Sequence, residues 1–274
     1  MVETTIIQPS KGWVALNLRD LWKYRELVYF LIWRDIKVRY KQAALGVAWA
    51  ILQPILTMVI FSVIFGKFGK LPTDKSIPYP LFTFAALLPW QLFANALQRS
   101  GTSLVGSANL ITKIYFPRLI IPISAVVGGL LDFAISFVVL IGLMFYYKVV
   151  PTWSMLWTIP YLILTLITAL AVGLWLSALN VRYRDVQQMI PFIIQAWMFA
   201  SPVAYSAKII TDRTWQLIYG LNPLAGIIQG FRSALLGSTP PGELLLISAG
   251  VMVLLFISGL YYFRRMEKTF ADTV

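Results

Sequence analysis

The residues in this chain that could do chemistry are few, and their types exclude most reactions. The 274 residues contain no His and no Cys. That removes the commonest general base, the commonest transition-metal ligand, thiolate nucleophiles and disulfides. No phosphate loop of the form Gly-x-x-x-x-Gly-Lys-Ser/Thr occurs, because Gly66-Lys67 and Gly69-Lys70 lack both the upstream Gly and the following hydroxyl. The chain therefore cannot hydrolyse ATP by that route, and active pumping would need another chain or an ion gradient as motor.

What remains is polar side chains set inside apolar stretches, where each costs free energy unless paired or wet. Gln91, Asn95, Gln98 and Thr102 recur at helical spacing and share one face. Gln188, Phe192, Gln195, Phe199 and Pro202 do the same further on, and Trp49, Gln53, Thr57 and Phe61 make a shorter stripe. Such amide and aromatic faces could line a hydrated path for a polar, flexible solute, with Trp49, Gln53, Gln91, Asn95, Gln98, Phe192, Gln195 and Phe199 as the lining set. Interhelical hydrogen bonding uses the same residue types and stays open beside it. Asp132 is the only carboxylate expected at mid-membrane depth. With no second acid near it in sequence it reads as structural, hydrogen-bonded to neighbouring helices, and Arg99 reads as a snorkelling end residue.

The elements that must position these residues are transmembrane helices. Charged residues make up 12% of the chain, hydrophobic ones 59%, and mean hydropathy is +0.75. A soluble domain carries about 25% charged residues. A span needs about 20 apolar residues, and Leu45–Gly66, Leu81–Val105, Leu119–Tyr147, Trp153–Leu179, Gln188–Ser206 and Glu243–Phe263 qualify. The stretch Trp215–Gly237 is interrupted by Asn222-Pro223 and holds Gly220, Gly226, Gly230 and Arg232, which suits a re-entrant helical pair. The expected class is an all-α polytopic membrane protein: a cytoplasmic tail and interfacial helix over 1–44, a six-span domain over 45–263 and a short tail over 264–274.

Charge supports this count. Six spans place sixteen of the 23 Lys and Arg on one side, which the positive-inside tendency makes cytoplasmic together with both termini. The net charge of +12 then reads as loops against anionic headgroups rather than as a nucleic-acid surface. Met1–Leu18 has no compact signal segment, so insertion is expected to rely on the first span. Across Leu21–Lys41, Tyr24, Leu27, Val28, Leu31 and Ile32 recur at helical spacing, as do Arg34, Lys37 and Lys41. This predicts an amphipathic interfacial helix. Two cytoplasmic loops, Ser107–Pro117 and Asn180–Asp185, could dock a soluble partner.

At this point a resemblance enters. Arg34-Asp35-Ile36-Lys37-Val38-Arg39-Tyr40-Lys41, with Leu45-Gly46, Trp49 and Gln53-Pro54, resembles the N-terminal region of type-2 ABC exporter permeases of the polysaccharide and polyol-phosphate branch. Asn109-Leu110-Ile111 with Lys113 and Phe116-Pro117, Arg184-Asp185, Ser201-Pro202-Val203, and Asn222-Pro223-Leu224 with Arg232 follow in that family's order. The resemblance implies a homodimer paired with two ATP-binding cassette subunits that bind ATP and Mg, and no cofactor in this chain. It implies ATPase coupling through Asn109, Leu110, Ile111, Lys113 and Phe116, joined by Arg184 and Asp185. It also implies export of a lipid-linked polymer such as O-antigen, capsule or teichoic acid across the bacterial plasma membrane. Arg34, Lys37, Arg39 and Lys41 are the candidates to hold the substrate's phosphate-bearing lipid headgroup.

Three rivals are weaker. The Arg34–Lys41 run and the aromatic content disfavour a drug, small-lipid or ion exporter. A membrane-embedded transferase would want clustered acids, which are missing. An ion-coupled transporter often shows related halves with paired broken helices, and here one broken segment stands alone.

Overall fold

The computed structural model describes residues 18–41, 46–74, 77–210 and 212–270, and all regular structure among them is helical. The tail read over 1–17, residues 42–45 at the entry to the first span, and 271–274 lie outside the described residues. In chain order the elements are α1 (Leu18–Lys23), α2 (Arg25–Lys41), α3 (Gly46–Phe61, running on as a π-helical stretch over Ser62–Phe68), α4 (Tyr79–Gly106) and α5 (Ala108–Lys113). There follow α6 (Ile120–Val127), α7 (Leu130–Tyr146), α8 (Thr158–Arg182, entered through a tight turn over Trp153–Trp157), α9 (Val186–Phe199), α10 (Arg213–Gly220), α11 (Pro223–Leu236) and α12 (Glu243–Glu267).

Among the described residues, five stretches are long and apolar enough to cross a membrane: Ala48–Phe68, Tyr79–Gly106, Ile120–Tyr146, Trp153–Arg182 and Glu243–Glu267. They answer the first, second, third, fourth and sixth expected spans. The third is not one helix, because Gly128 and Gly129 interrupt it between α6 and α7. A side chain at Gly129 would stand 3.2 Å from Leu92 Cδ1, so the glycine lets α4 approach closely. α4 is the central helix, buried along most of its length and packed chiefly on α8.

The fifth expected span, 188–206, is not a single helix. Its helix, α9, has 14 residues, which reach about 21 Å at 1.5 Å per residue, short of a bilayer core. Pro202 has no N–H to donate, and it disfavours helical backbone in Ser201 before it. The chain nevertheless follows α4 from one end to the other. Ile190 packs at Gly101, Trp197 lies edge-on to Phe93 at 5.1 Å, and Tyr79 donates its hydroxyl to Ala204 O. A short helix and an irregular tail together make this traverse.

An irregular backbone inside an apolar bundle must have its carbonyls satisfied by protein. Arg232, 1% exposed, does much of this. Its guanidinium donates to Val203 O at 2.6 Å, Tyr205 O at 3.0 Å and Phe82 O at 3.1 Å, and lies 3.6 Å from the centre of the Phe82 ring. Asn222 completes the set. Its Nδ2 donates to Ala200 O at 3.0 Å, while its Oδ1 accepts from Trp197 Nε1 at 2.9 Å and caps α11 through Leu224 N at 3.0 Å. Asn222-Pro223 is thus both the break in 215–237 and the start of a well-capped helix, with Pro at the first helical position. The expected pair of helices is present. α11 ends on Gly237 at φ +62°, the left-handed closure that glycine favours.

At the other end, Leu31 of α2, Leu104 of α4, Ile111 of α5, Phe116 and Phe263 of α12 form a second apolar cluster closed by Phe270. The first and last described helices therefore meet at one end of the bundle. Four residues of the apolar stripe expected on α2 turn toward the bundle. Leu31 is buried, and Tyr24, Leu27 and Val28 pack on this cluster, while Tyr29, Phe30 and Trp33 are exposed on another face. α2 is apolar on two sides rather than one.

Replacing Arg232 with Met leaves the Val203 and Tyr205 carbonyls of the irregular tail without this donor at a buried site. We expect a loss of about 3–5 kcal/mol in reversible unfolding of the purified protein. Arg232→Lys should recover part of it, and a stability equal to wild type in Arg232→Met would contradict this role.

Candidate functional site

A cavity of about 430 Å³ opens between the end of α2, α3, α4 and α7. Trp49, Gln53, Gln91 and Asn95, all named from sequence as lining residues, stand in its wall. The helical periodicity explains why. Trp49 and Gln53 lie one turn apart on α3, Gln91 and Asn95 one turn apart on α4, and the two helices pack together. Ser136 of α7 donates to Ala50 O at 3.3 Å and ties α7 to α3 across the same cavity.

The other expected lining residues stand elsewhere. Gln98 is half-buried further along α4 and is not part of this wall. Phe192, Gln195 and Phe199 are exposed on the outer face of α9. Within one chain, the two stripes do not face a common space.

The end of this cavity nearest α2 is charged. The Asp132 carboxylate accepts from Arg39 Nη1 at 2.7 Å and Arg99 Nη2 at 2.5 Å, both on Oδ2, and Tyr40 donates its hydroxyl to Oδ1. Asp132 is thus hydrogen-bonded to two neighbouring helices, α2 and α4. Arg99 is turned inward to the carboxylate rather than snorkelling. Burial, and then the hydrogen bond to Asp132, push the Tyr40 phenol up to about 12, so it stays a donor at neutral pH. Arg39, read from sequence with the free basic residues, is engaged here. Arg34 pairs with its neighbour Asp35 at 2.8 Å, and Lys37 and Lys41 are exposed.

A second, more open cavity of about 520 Å³ lies beside the first, between α2, α4 and α6, with Arg34 and Thr102 in its wall. Arg39 and Arg99 belong to both cavities. The charge cluster is therefore the partition between a basic outer vestibule and an amide-lined inner space.

The loop expected to meet an ATPase divides cleanly. Ile111 and Phe116 are buried anchors in the end cluster and Leu110 packs partly on it, while Asn109 and Lys113 are exposed. Tyr115, 71% exposed, and Ile114, 57% exposed, extend that free face; the sequence reading had not singled them out. The loop is held to the last helix. Arg118 donates to Glu267 O, its amide to Glu267 Oε1 at 3.2 Å, and Arg264 pairs with Glu267 at 2.7 Å. Arg184 and Asp185 are exposed in the turn from α8 to α9.

Comparison with known proteins now adds to the geometry. The family model described as ABC-2 type transporter matches residues 26–236. The chain belongs to that family. It is 30% identical over 260 residues to the O-antigen export system permease protein RfbA of Myxococcus xanthus, covering 94% of this chain and 98% of the relative. It is 32% identical over 250 residues to the same-named protein of Klebsiella pneumoniae, covering 90% and 94%. The polysialic acid transport protein KpsM of Escherichia coli is 26% identical over 261 residues, covering 87% and 92%. The ABC-2 match spans nearly all of α2, both cavities, the α5 loop and the broken pair α10–α11, and leaves out α1 and α12.

If the charge cluster docks α2, Asp132→Asn should raise amide exchange over 36–41 while leaving the central helix protected. A double-mutant cycle with Arg39→Gln should show a coupling of about 1–3 kcal/mol. Additive effects of the two variants would contradict the docking.

Proposed function

We propose that the chain is the permease subunit of an ATP-driven exporter that carries a lipid-linked polysaccharide, O-antigen-like, from the cytoplasm across the bacterial plasma membrane. Two copies work with two ATP-binding cassette subunits, which bind ATP and Mg and do the hydrolysis. The end holding α2, α5, the α8–α9 turn and the close of α12 faces the cytoplasm, with both termini on that side, and α10–α11 form a re-entrant pair at the outer face.

The observation that carries this reading is the pairing of a basic vestibule with an amide-and-aromatic cavity across one charged partition. A sugar polymer presents hydroxyls and apolar ring faces, which Gln53, Gln91, Asn95 and Trp49 suit. A phosphate-bearing headgroup suits Arg34, Lys37 and Lys41 on the approach to it. The relatives named for O-antigen export cover almost the whole chain and favour that glycan class. Capsule polymer is the second reading, favoured by the likeness to the polysialic acid transport proteins. The free face of Asn109, Lys113, Ile114 and Tyr115 supports docking of an ATPase.

The test is reconstitution with the cognate ATPase in proteoliposomes. Lipid-linked glycan should stimulate ATP hydrolysis and small drugs should not; the reverse would contradict the substrate class. Neutralising Arg34, Lys37 and Lys41 together to Gln should lower glycan export about tenfold or more without loss of assembly. Tyr115→Ala combined with Lys113→Ala should uncouple export from hydrolysis, and export at wild-type rate in that double variant would overturn the role given to that face.

A further inference from the structure

The Arg39–Asp132–Arg99 cluster is more than a helix tie. Two guanidiniums share one carboxylate, and both contact the same oxygen, Oδ2. The cluster therefore keeps one net positive charge, since the Tyr40 phenol is neutral. Among the described residues Arg99 Nη1 is buried and has no hydrogen-bond partner. That nitrogen lies 3.9 Å from where a side chain at Gly129 would stand, and Gly129 is part of the inner cavity's wall. A guanidinium with an unused donor beside a cavity is an incompletely filled anion site. None of the three charged side chains is fully sealed: they are 17–28% exposed.

We propose that Asp132 is an exchangeable internal anion, which holds Arg39 and Arg99 in the empty state and yields them to a phosphoryl or pyrophosphoryl group arriving from the vestibule. This rests on the proposed phosphate-bearing substrate and adds a mechanism to it. A pyrophosphoryl group brings more negative charge and more acceptor oxygens than one carboxylate, so it can neutralise both guanidiniums and use the idle Nη1 donor. The exchange has a structural consequence. The contacts of Arg39 and Tyr40 with Asp132 fasten the end of α2 to α7, so losing them frees that end to swing from α4 and α6 and joins the two cavities. Asp132 thus keeps the partition shut until an anion able to replace it arrives.

The absence of Cys makes the test clean. Spin labels go on Trp33→Cys of α2, 53% exposed, and Gly106→Cys at the end of α4, where a side chain meets nothing within 4 Å. The full chain, in the assembly in which it purifies, is placed in nanodiscs with or without polyprenyl pyrophosphate, or in plain nanodiscs with inorganic pyrophosphate. Label separation should lengthen on binding. Either probe producing the shift supports the exchange, and the arm that does so names the source of the anion. Asp132→Asn removes the competitor, so it should bind polyprenyl pyrophosphate about tenfold tighter and show the longer separation without ligand. Tyr40→Phe keeps every charge and loosens only the carboxylate. It should gain about threefold, and it decides the matter if Asp132→Asn does not fold. Wild-type binding with unchanged or weaker binding in both variants overturns the exchange and leaves the substrate reading standing. No binding and no shift with either probe, in wild type and variants alike, overturns both.

Discussion

An apolar surrounding tolerates neither a lone charge nor a backbone carbonyl without a donor, and this chain meets that constraint at two points that organise everything else. Near the end opposite α2, Arg232 takes the Val203 and Tyr205 carbonyls freed where the α9 helix stops. Near α2, Asp132 takes two arginines from different helices. The first lets the chain run the length of α4 with 14 helical residues and an irregular tail. The second fastens the last turn of α2, whose earlier turns already pack on the end cluster. One is sealed and multiply bonded, and the other is partly exposed with a donor to spare. That difference is physical ground for treating the Arg232 site as permanent scaffold and the Asp132 site as a movable part.

How much of this was legible in the sequence follows from the kind of signal each feature leaves. Long apolar runs mark spans strongly, so five of the six expected spans have matching helical stretches. The 188–206 run misleads because it is span-length and largely apolar, and Pro202 is the hint that its helix stops early. The break at Asn222-Pro223 was readable because a cap residue before Pro is a local device that tertiary packing rarely overrides.

The site was half legible for the same reason. Gln53, Gln91 and Asn95 share a cavity because helical spacing placed them on faces, and α3 packs on α4. No spacing rule joins Arg39, Arg99 and Asp132, which are 93 and 33 residues apart in two pairings. Electroneutrality offered a clue: a carboxylate at mid-span needs a cation, and Arg99 is among the few charges inside the apolar stretches. Phe192, Gln195 and Phe199 have the right periodicity and face outward. A second copy is the natural place to seek what covers them under the proposed dimer.

The proposed working order depends on which way the molecule stands. Vestibule, charge partition and the α5 face all lie at the end shared by α2 and the close of α12, so substrate and motor act from one side. Sided labelling of single cysteines in intact cells tests this most directly, since the native chain has none to interfere. The account predicts that Tyr115→Cys resists a membrane-impermeant maleimide until the cells are opened, while Thr152→Cys, at the start of the turn leading into α8, reacts from outside. Labelling of Tyr115→Cys from outside in sealed cells, with Thr152→Cys protected, would contradict it.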